Sequence, residues 1–72
     1  MMSIFKKKIS YEKIYEVASE KAKSQLNYGD MMNEHQILQY IYDYFDHGSL
    51  DFHEVFDVVQ NMKMKGLLRR IL

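Results

Sequence analysis

The sequence contains no cysteine, no proline and no tryptophan, and only three glycines among its 72 residues. Without cysteine the chain can form neither disulfide bonds nor a cysteine-based zinc site, so packing must stabilise the fold. Without proline, no residue forbids helix formation along the chain. Gly29, Gly48 and Gly66 are therefore the positions at which a helix most readily ends.

Long hydrophobic runs are also missing. No run approaches the roughly 18 apolar residues of a membrane-spanning helix. The apolar residues Met1–Phe5 precede Lys6–Lys8, which is the reverse of the order in a secretory signal. These absences predict a soluble, cytoplasmic protein. Hydrophobic residues nevertheless make up 47% of the chain, too many for a disordered segment, so we expect one folded domain over residues 1–72, with a basic arm at 1–9.

Apolar side chains recur at steps of three and four residues in three segments, which is the spacing of amphipathic helices. The pattern predicts an all-α fold, a small three-helix domain with helices at about 10–27, 31–46 and 50–65. An amphipathic tail at 67–72 is a candidate for a short fourth helix and needs an apolar surface to lie on. The first apolar stripe comprises Tyr11, Ile14, Tyr15, Ala18, Ala22 and Leu26.

Capping residues stand where each helix is expected to begin. Ser10 is a suitable N-cap for the first helix, and Ser49 for the third. For the second helix either Asp30 or Asn33 can serve, the latter with Gln36 three residues later as in a capping box. Residues 40–45 are also rich in strand formers, but an isolated strand has no partner here, which favours helix.

Charge is sorted along the chain although the formal net charge is zero. Residues 1–25 carry six lysines and three glutamates, and residues 26–57 carry seven acidic residues with no Lys or Arg. The last segment, 58–72, carries four basic residues and no acid. Such a pattern indicates either a charged partner or basic ends that fold back onto the acidic middle.

Gly48, Leu50 and Glu54 have the spacing of the glycine, the apolar residue and the closing glutamate of a calcium-binding loop, and so the segment resembles the second half of an EF-hand. The resemblance implies Asp43 as the first ligand. Phe45 and His47 stand where that family has oxygen-bearing side chains, which argues against calcium binding. A degenerate EF-hand-like calcium binder is therefore the third alternative for the function.

No other constellation for metal binding or catalysis is present. His35, His47 and His53 do not have the spacing of a shared metal site on one helix. The sequence also lacks a phosphate-binding loop and a nucleophile-elbow motif. We therefore expect a non-enzymatic protein with no metal and no cofactor.

The aromatic and acidic run from Tyr40 to Asp46 is the most informative segment for function. Tyrosine provides a large contact area with a polar tip, which is typical of interface hot spots. We expect a small protein–protein interaction or regulatory module, an adaptor or inhibitor, that binds a protein with a basic surface. The predicted partner-binding residues are Tyr40, Asp43, Tyr44, Asp46, Asp51 and Glu54.

Two further interactions remain open. A short chain gains core by dimerising, and the candidates for self-association as a homo-oligomer are Phe52, Phe56, Met62, Leu67, Leu68 and Ile71. The alternative function is nucleic-acid binding through the basic N- and C-terminal segments, if the two ends meet in space.

Overall fold

Residues 8–70 are described by the computed structural model, and they form three α-helices with no strand among them. Helix α1 spans Tyr11–Asn27, α2 spans Glu34–Tyr44 and α3 spans Phe52–Met64, with one 3-10 turn at His47–Ser49 between α2 and α3. The prediction of a small, all-helical, three-helix domain is confirmed. None of the helices within 8–70 is both long and apolar enough to cross a membrane.

The first two helices begin at polar caps. The Ser10 hydroxyl accepts a hydrogen bond from the Lys13 backbone N–H, as predicted. Asn33, not Asp30, caps α2: its side chain accepts from the Gln36 N–H, and the Gln36 side chain accepts from the Asn33 N–H, both at 2.9 Å. Because Asn33 is extended, α2 begins at Glu34 instead of residue 31.

The start of α3 differs from the expectation. Ser49 was predicted to cap the helix, but it lies in the 3-10 turn, and Asp51 caps α3 by accepting from the His53 N–H at 2.9 Å. In this 3-10 turn the Leu50 N–H donates a hydrogen bond to the His47 carbonyl, and α3 therefore begins later, at Phe52. Leu50, which follows the turn, is buried and anchors this connection in the core.

Two of the three glycines end helices. Gly29 and Gly66 both have φ of 76°, and each follows the residue that closes a helix, Tyr28 after α1 and Lys65 after α3. This left-handed conformation is one that glycine adopts without a Cβ penalty. No atom lies within 4 Å of a Cβ built at either position, so conformation and not space favours glycine there.

All three helices contribute to a single core. Ile14, Ile37, Ile41, Val55 and Val58 are completely buried. Around them pack further buried residues from the helices and their connections: Ala18, Ala22, Met32, Leu50, Val59, Met62 and Leu68. Leu26, which was predicted to join the first stripe, lies in the last turn of α1 and is 42% exposed.

Both described chain ends pack onto the middle of the chain through backbone hydrogen bonds. The Ile9 N–H donates to the Ser49 carbonyl at 2.9 Å, and the Arg69 N–H donates to the Met32 carbonyl at 2.7 Å. Leu68 of the tail is buried in the core, so the core provides the apolar surface on which this part of the tail lies. Residues 67–70 contain a bend and an isolated bridge to α2's cap; Ile71 and Leu72, which complete the predicted tail, lie outside the described residues.

Candidate functional site

Three aromatic rings cluster at the C-terminal end of α2. Tyr40 and Tyr44, one helical turn apart, have ring centroids 5.8 Å apart, and the Phe45 ring meets Tyr44 edge-on at 4.8 Å. Tyr40 and Phe45 are half-buried against the core, whereas Tyr44 is 56% exposed. An exposed ring is thus held in place by two anchored ones.

A lysine from α1 covers the inner side of this cluster. The Lys21 ammonium lies 5.2 Å from the centroid of the Tyr40 ring, a cation–π contact. Such a contact contributes about 0.5–1 kcal/mol at a partly exposed site. Lys21 therefore helps to fix Tyr40, and it brings one positive charge to a surface that the sequence predicted to be purely acidic.

The predicted acidic residues separate into two groups. Asp43 on α2 and Asp46 just beyond it are exposed and flank Tyr44 in the chain. Asp51 and Glu54 are half-buried at the start of α3, and the Asp51 carboxylate is engaged as the helix cap. We refer below to Tyr40, Asp43, Tyr44 and Asp46 as the Tyr44 face.

The predicted self-association residues also divide. Phe52 and Phe56 on α3 stack at 6.4 Å and are 65% and 48% exposed. Met62 and Leu68, by contrast, are 0% and 3% exposed, because they fill the core of the single chain and leave no surface for a second copy. Leu67 is half-buried and Ile71 lies outside the described residues. Self-association through Phe52, Phe56, Leu67 and Ile71 stays a prediction.

A second tyrosine pair lines a groove between α1 and α3, which we call the Tyr15 groove. The rings of Tyr11 and Tyr15 are stacked, with centroids 6.1 Å apart and planes 15° from parallel. Asn61 on α3 donates a hydrogen bond from Nδ2 to the Tyr11 hydroxyl at 2.8 Å. The Lys65 ammonium lies 5.4 Å from the Tyr15 centroid. The complete lining is Tyr11, Glu12, Tyr15, Glu16, Asn61 and Lys65.

Sequence reasoning assigned Tyr11 and Tyr15 to the core stripe and missed this groove. A signal was present, because the two tyrosines have the same four-residue spacing as Tyr40 and Tyr44. Asn61 on α3 and Lys65, the C-cap of that helix, share this spacing. The sequence does not show that these faces of α1 and α3 meet, since their contact depends on how α3 crosses the start of α1.

The basic segments attach to the acidic middle at separate points. Lys63 forms an ion pair with Glu34 at 3.0 Å, and the Lys8 ammonium donates to the Leu50 carbonyl at 3.4 Å. These two contacts are made at Glu34, the first residue of α2, and at Leu50, beyond the last residue of that helix. The 11 residues of α2 span roughly 16 Å. The Lys63–Glu34 pair is one contact of the intramolecular kind that the charge pattern allows. Lys6 and Lys7 of the basic arm lie outside the described residues, and nucleic-acid binding through the basic ends stays an untested alternative.

The side chains of the calcium-loop resemblance have other roles in this structure. Nε2 of His47 lies 2.7 Å from the Tyr42 carbonyl, and the two rings meet edge-on at 5.3 Å. Phe45 packs on Tyr44. Within residues 8–70 no three His, Asp or Glu side chains are grouped so as to hold a metal ion.

The Tyr44 face at the end of α2 and the Tyr15 groove between α1 and α3 each combine tyrosine with acidic side chains. The first presents an exposed ring, and the second a recess with two partly buried rings. Comparisons of the chain with protein-family models, with curated proteins and with solved structures gave no significant match.

Proposed function

We propose that this protein is a small, non-enzymatic interaction module that binds a partner protein with a basic surface through the Tyr44 face. The observation that carries the proposal is the Tyr44 ring, which is 56% exposed and yet supported by Tyr40 and Phe45. A ring that is already held in place loses little conformational freedom on binding, so more of its contact energy remains as affinity.

The charges near Tyr44 favour a basic partner. Asp43 and Asp46 are exposed on either side of it in the chain, and residues 26–57 contain no Lys or Arg. Lys21 contacts the inner ring, Tyr40, and not the exposed one. Acidic side chains around an exposed ring accelerate encounter with a basic surface, while the aromatic contact slows dissociation.

The test is a capture experiment from a lysate of the native host, with the tagged wild-type chain beside the double variant Tyr44→Ala/Asp43→Asn. These two side chains are exposed, so the substitutions leave the core intact. Loss of a hot-spot tyrosine costs about 2 kcal/mol or more, which corresponds to roughly a 30-fold weaker complex. We expect at least one captured protein to be lost from the double variant.

The matched control is Tyr28→Ala/Asp30→Asn, which makes the same chemical changes in the connection between α1 and α2. Tyr28 is 83% exposed and Asp30 is exposed as well. Specific binding predicts that the control retains what the wild type captures. If both variants retain every captured protein, or both lose the same ones, the Tyr44 face is not the binding surface.

A further inference from the structure

We propose that the Tyr15 groove binds an arginine side chain of another polypeptide, a site separate from the Tyr44 face and independent of the function proposed above. The groove has a volume of about 240 Å³. That is below the roughly 300–1,000 Å³ of pockets for drug-sized ligands. Its size therefore suits a single side chain instead of a cofactor.

The aromatic wall of the groove is rigid. Tyr11 and Tyr15 are stacked one helical turn apart, and Asn61 fixes the outer ring through its hydrogen bond to the Tyr11 hydroxyl. Both tyrosines also pack partly against the core. A fixed aromatic face offers a stacking platform for a planar cation without reorganisation on binding.

The groove already attracts a cation from within the chain. The Lys65 ammonium lies 5.4 Å from the Tyr15 centroid, although Lys65 is an exposed residue that could extend into water. The contact is a weak, exposed one that a ligand can displace. Lys65 thus occupies the groove from within the chain. Its position indicates that the groove prefers a cation, and its ammonium competes with a cation from another molecule.

Two carboxylates complete the site and distinguish arginine from lysine. Glu12 and Glu16, both exposed, line the groove one helical turn apart. Glu16 is also 3.8 Å from the Lys13 ammonium in an exposed pair that a stronger donor can replace. A guanidinium can stack on Tyr15 and donate two parallel hydrogen bonds to a carboxylate, whereas an ammonium provides only a point charge.

The test is an NMR titration of the full chain with Nα-acetyl-arginine amide at constant ionic strength. We expect backbone shift changes concentrated at Tyr11, Tyr15, Asn61 and Lys65. Nα-acetyl-citrulline amide, which has the same shape without the charge, is expected to leave these signals in place. Nα-acetyl-lysine amide is expected to bind more weakly than the arginine compound.

Substitution of the internal competitor gives the sharper readout. Lys65→Met is expected to tighten arginine binding about two- to fivefold, because displacing a cation–π contact no longer opposes it. The matched control, Lys21→Met, removes the equivalent lysine from Tyr40 and is expected to leave the affinity unchanged. Tyr15→Leu is expected to abolish binding.

Three results would overturn the proposal: no shift changes with the arginine compound, equal binding of the citrulline compound, or a Lys65→Met affinity that is unchanged or lower. Because Lys65 is exposed, its variant keeps the fold and stays informative even if Tyr15→Leu does not fold. Neither Lys65→Met nor Tyr15→Leu touches the Tyr44 face, so failure here leaves the capture experiment as an independent test.

Discussion

The two tyrosine pairs have the same spacing and a lysine over one ring each, yet they lie in different environments. In the Tyr11–Tyr15 pair the hydroxyl of the first ring is hydrogen-bonded to α3, and both rings are half-buried. In the Tyr40–Tyr44 pair the second ring projects from the last residue of α2 and is 56% exposed. The difference arises from position: one pair lies where two helices meet, the other where a helix ends.

The spacing of an aromatic pair on a helix does not determine whether the pair belongs to the core or to an exposed surface. The neighbouring helix determines its role. Where α3 supplies Asn61 and Lys65, the rings become the wall of a recess. Where α1 supplies Lys21 against the inner ring, the outer ring remains exposed.

The largest effect is expected beneath the two pairs. Ile14 in α1 and Ile41 in α2 are both 0% exposed. Ile14→Ala and Ile41→Ala should each lower the free energy of unfolding by about 2–5 kcal/mol, because each leaves a cavity in the shared core. Urea unfolding followed by circular dichroism measures both. Similar losses would show that the same core supports both tyrosine pairs, which then differ only in their exposure. A loss below about 1 kcal/mol at either site would contradict a common core.

A smaller effect should separate the pairs directly. Tyr11→Phe removes the hydroxyl that accepts from Asn61 and leaves that amide donor without its partner, so we expect a loss of about 0.5–1.5 kcal/mol in the free energy of unfolding. Tyr44→Phe removes an exposed hydroxyl and should change stability by no more than about 0.5 kcal/mol. The same denaturation assay compares them. Equal effects would mean that the hydrogen bond to α3 adds nothing to the anchoring of the first pair.

The smallest effect concerns the lysines. Lys21→Met and Lys65→Met each remove one cation–π contact, and each should lower the free energy of unfolding by at most about 1 kcal/mol. Lys21 is half-buried and Lys65 is exposed, so the loss should be greater for Lys21. Thermal unfolding of the two variants side by side provides the measurement. The reverse order would indicate that the groove, and not the Tyr44 face, holds its lysine more firmly.

Much of the fold could be predicted because local signals agree. The three apolar stripes, the Ser10 cap and the glycine after α1 all point to the same helices that the structure contains. The start of α3 could not be predicted in the same way. Ser49 and Asp51 are both good caps, and the choice between them depends on a 3-10 turn whose last residue precedes buried Leu50.

The candidate site was predictable only in part. Tyr40, Asp43 and Tyr44 share a helix in an acidic segment, so their proximity follows from the sequence alone. On α3, Phe52 and Phe56 are four residues apart, and Val55, Val59 and Met62 follow one another at steps of four and three. Both sets have helical spacing, yet only the second set is buried, which the spacing alone could not show. The direction from which α1 and α2 approach α3 decides which side of the stripe is buried.

The amino-acid sequence is enough to predict that this chain is helical and where α1 ends, because both depend on neighbours within about four residues. The order of basic, acidic and basic segments can be read from it directly. Only the packing of the helices sets Tyr11 and Tyr15 in a groove and leaves the Tyr44 ring exposed. It also decided that Lys63 pairs with Glu34, 29 residues away. Contacts between helices depend on how apolar faces pack together, and several packings satisfy the same local pattern.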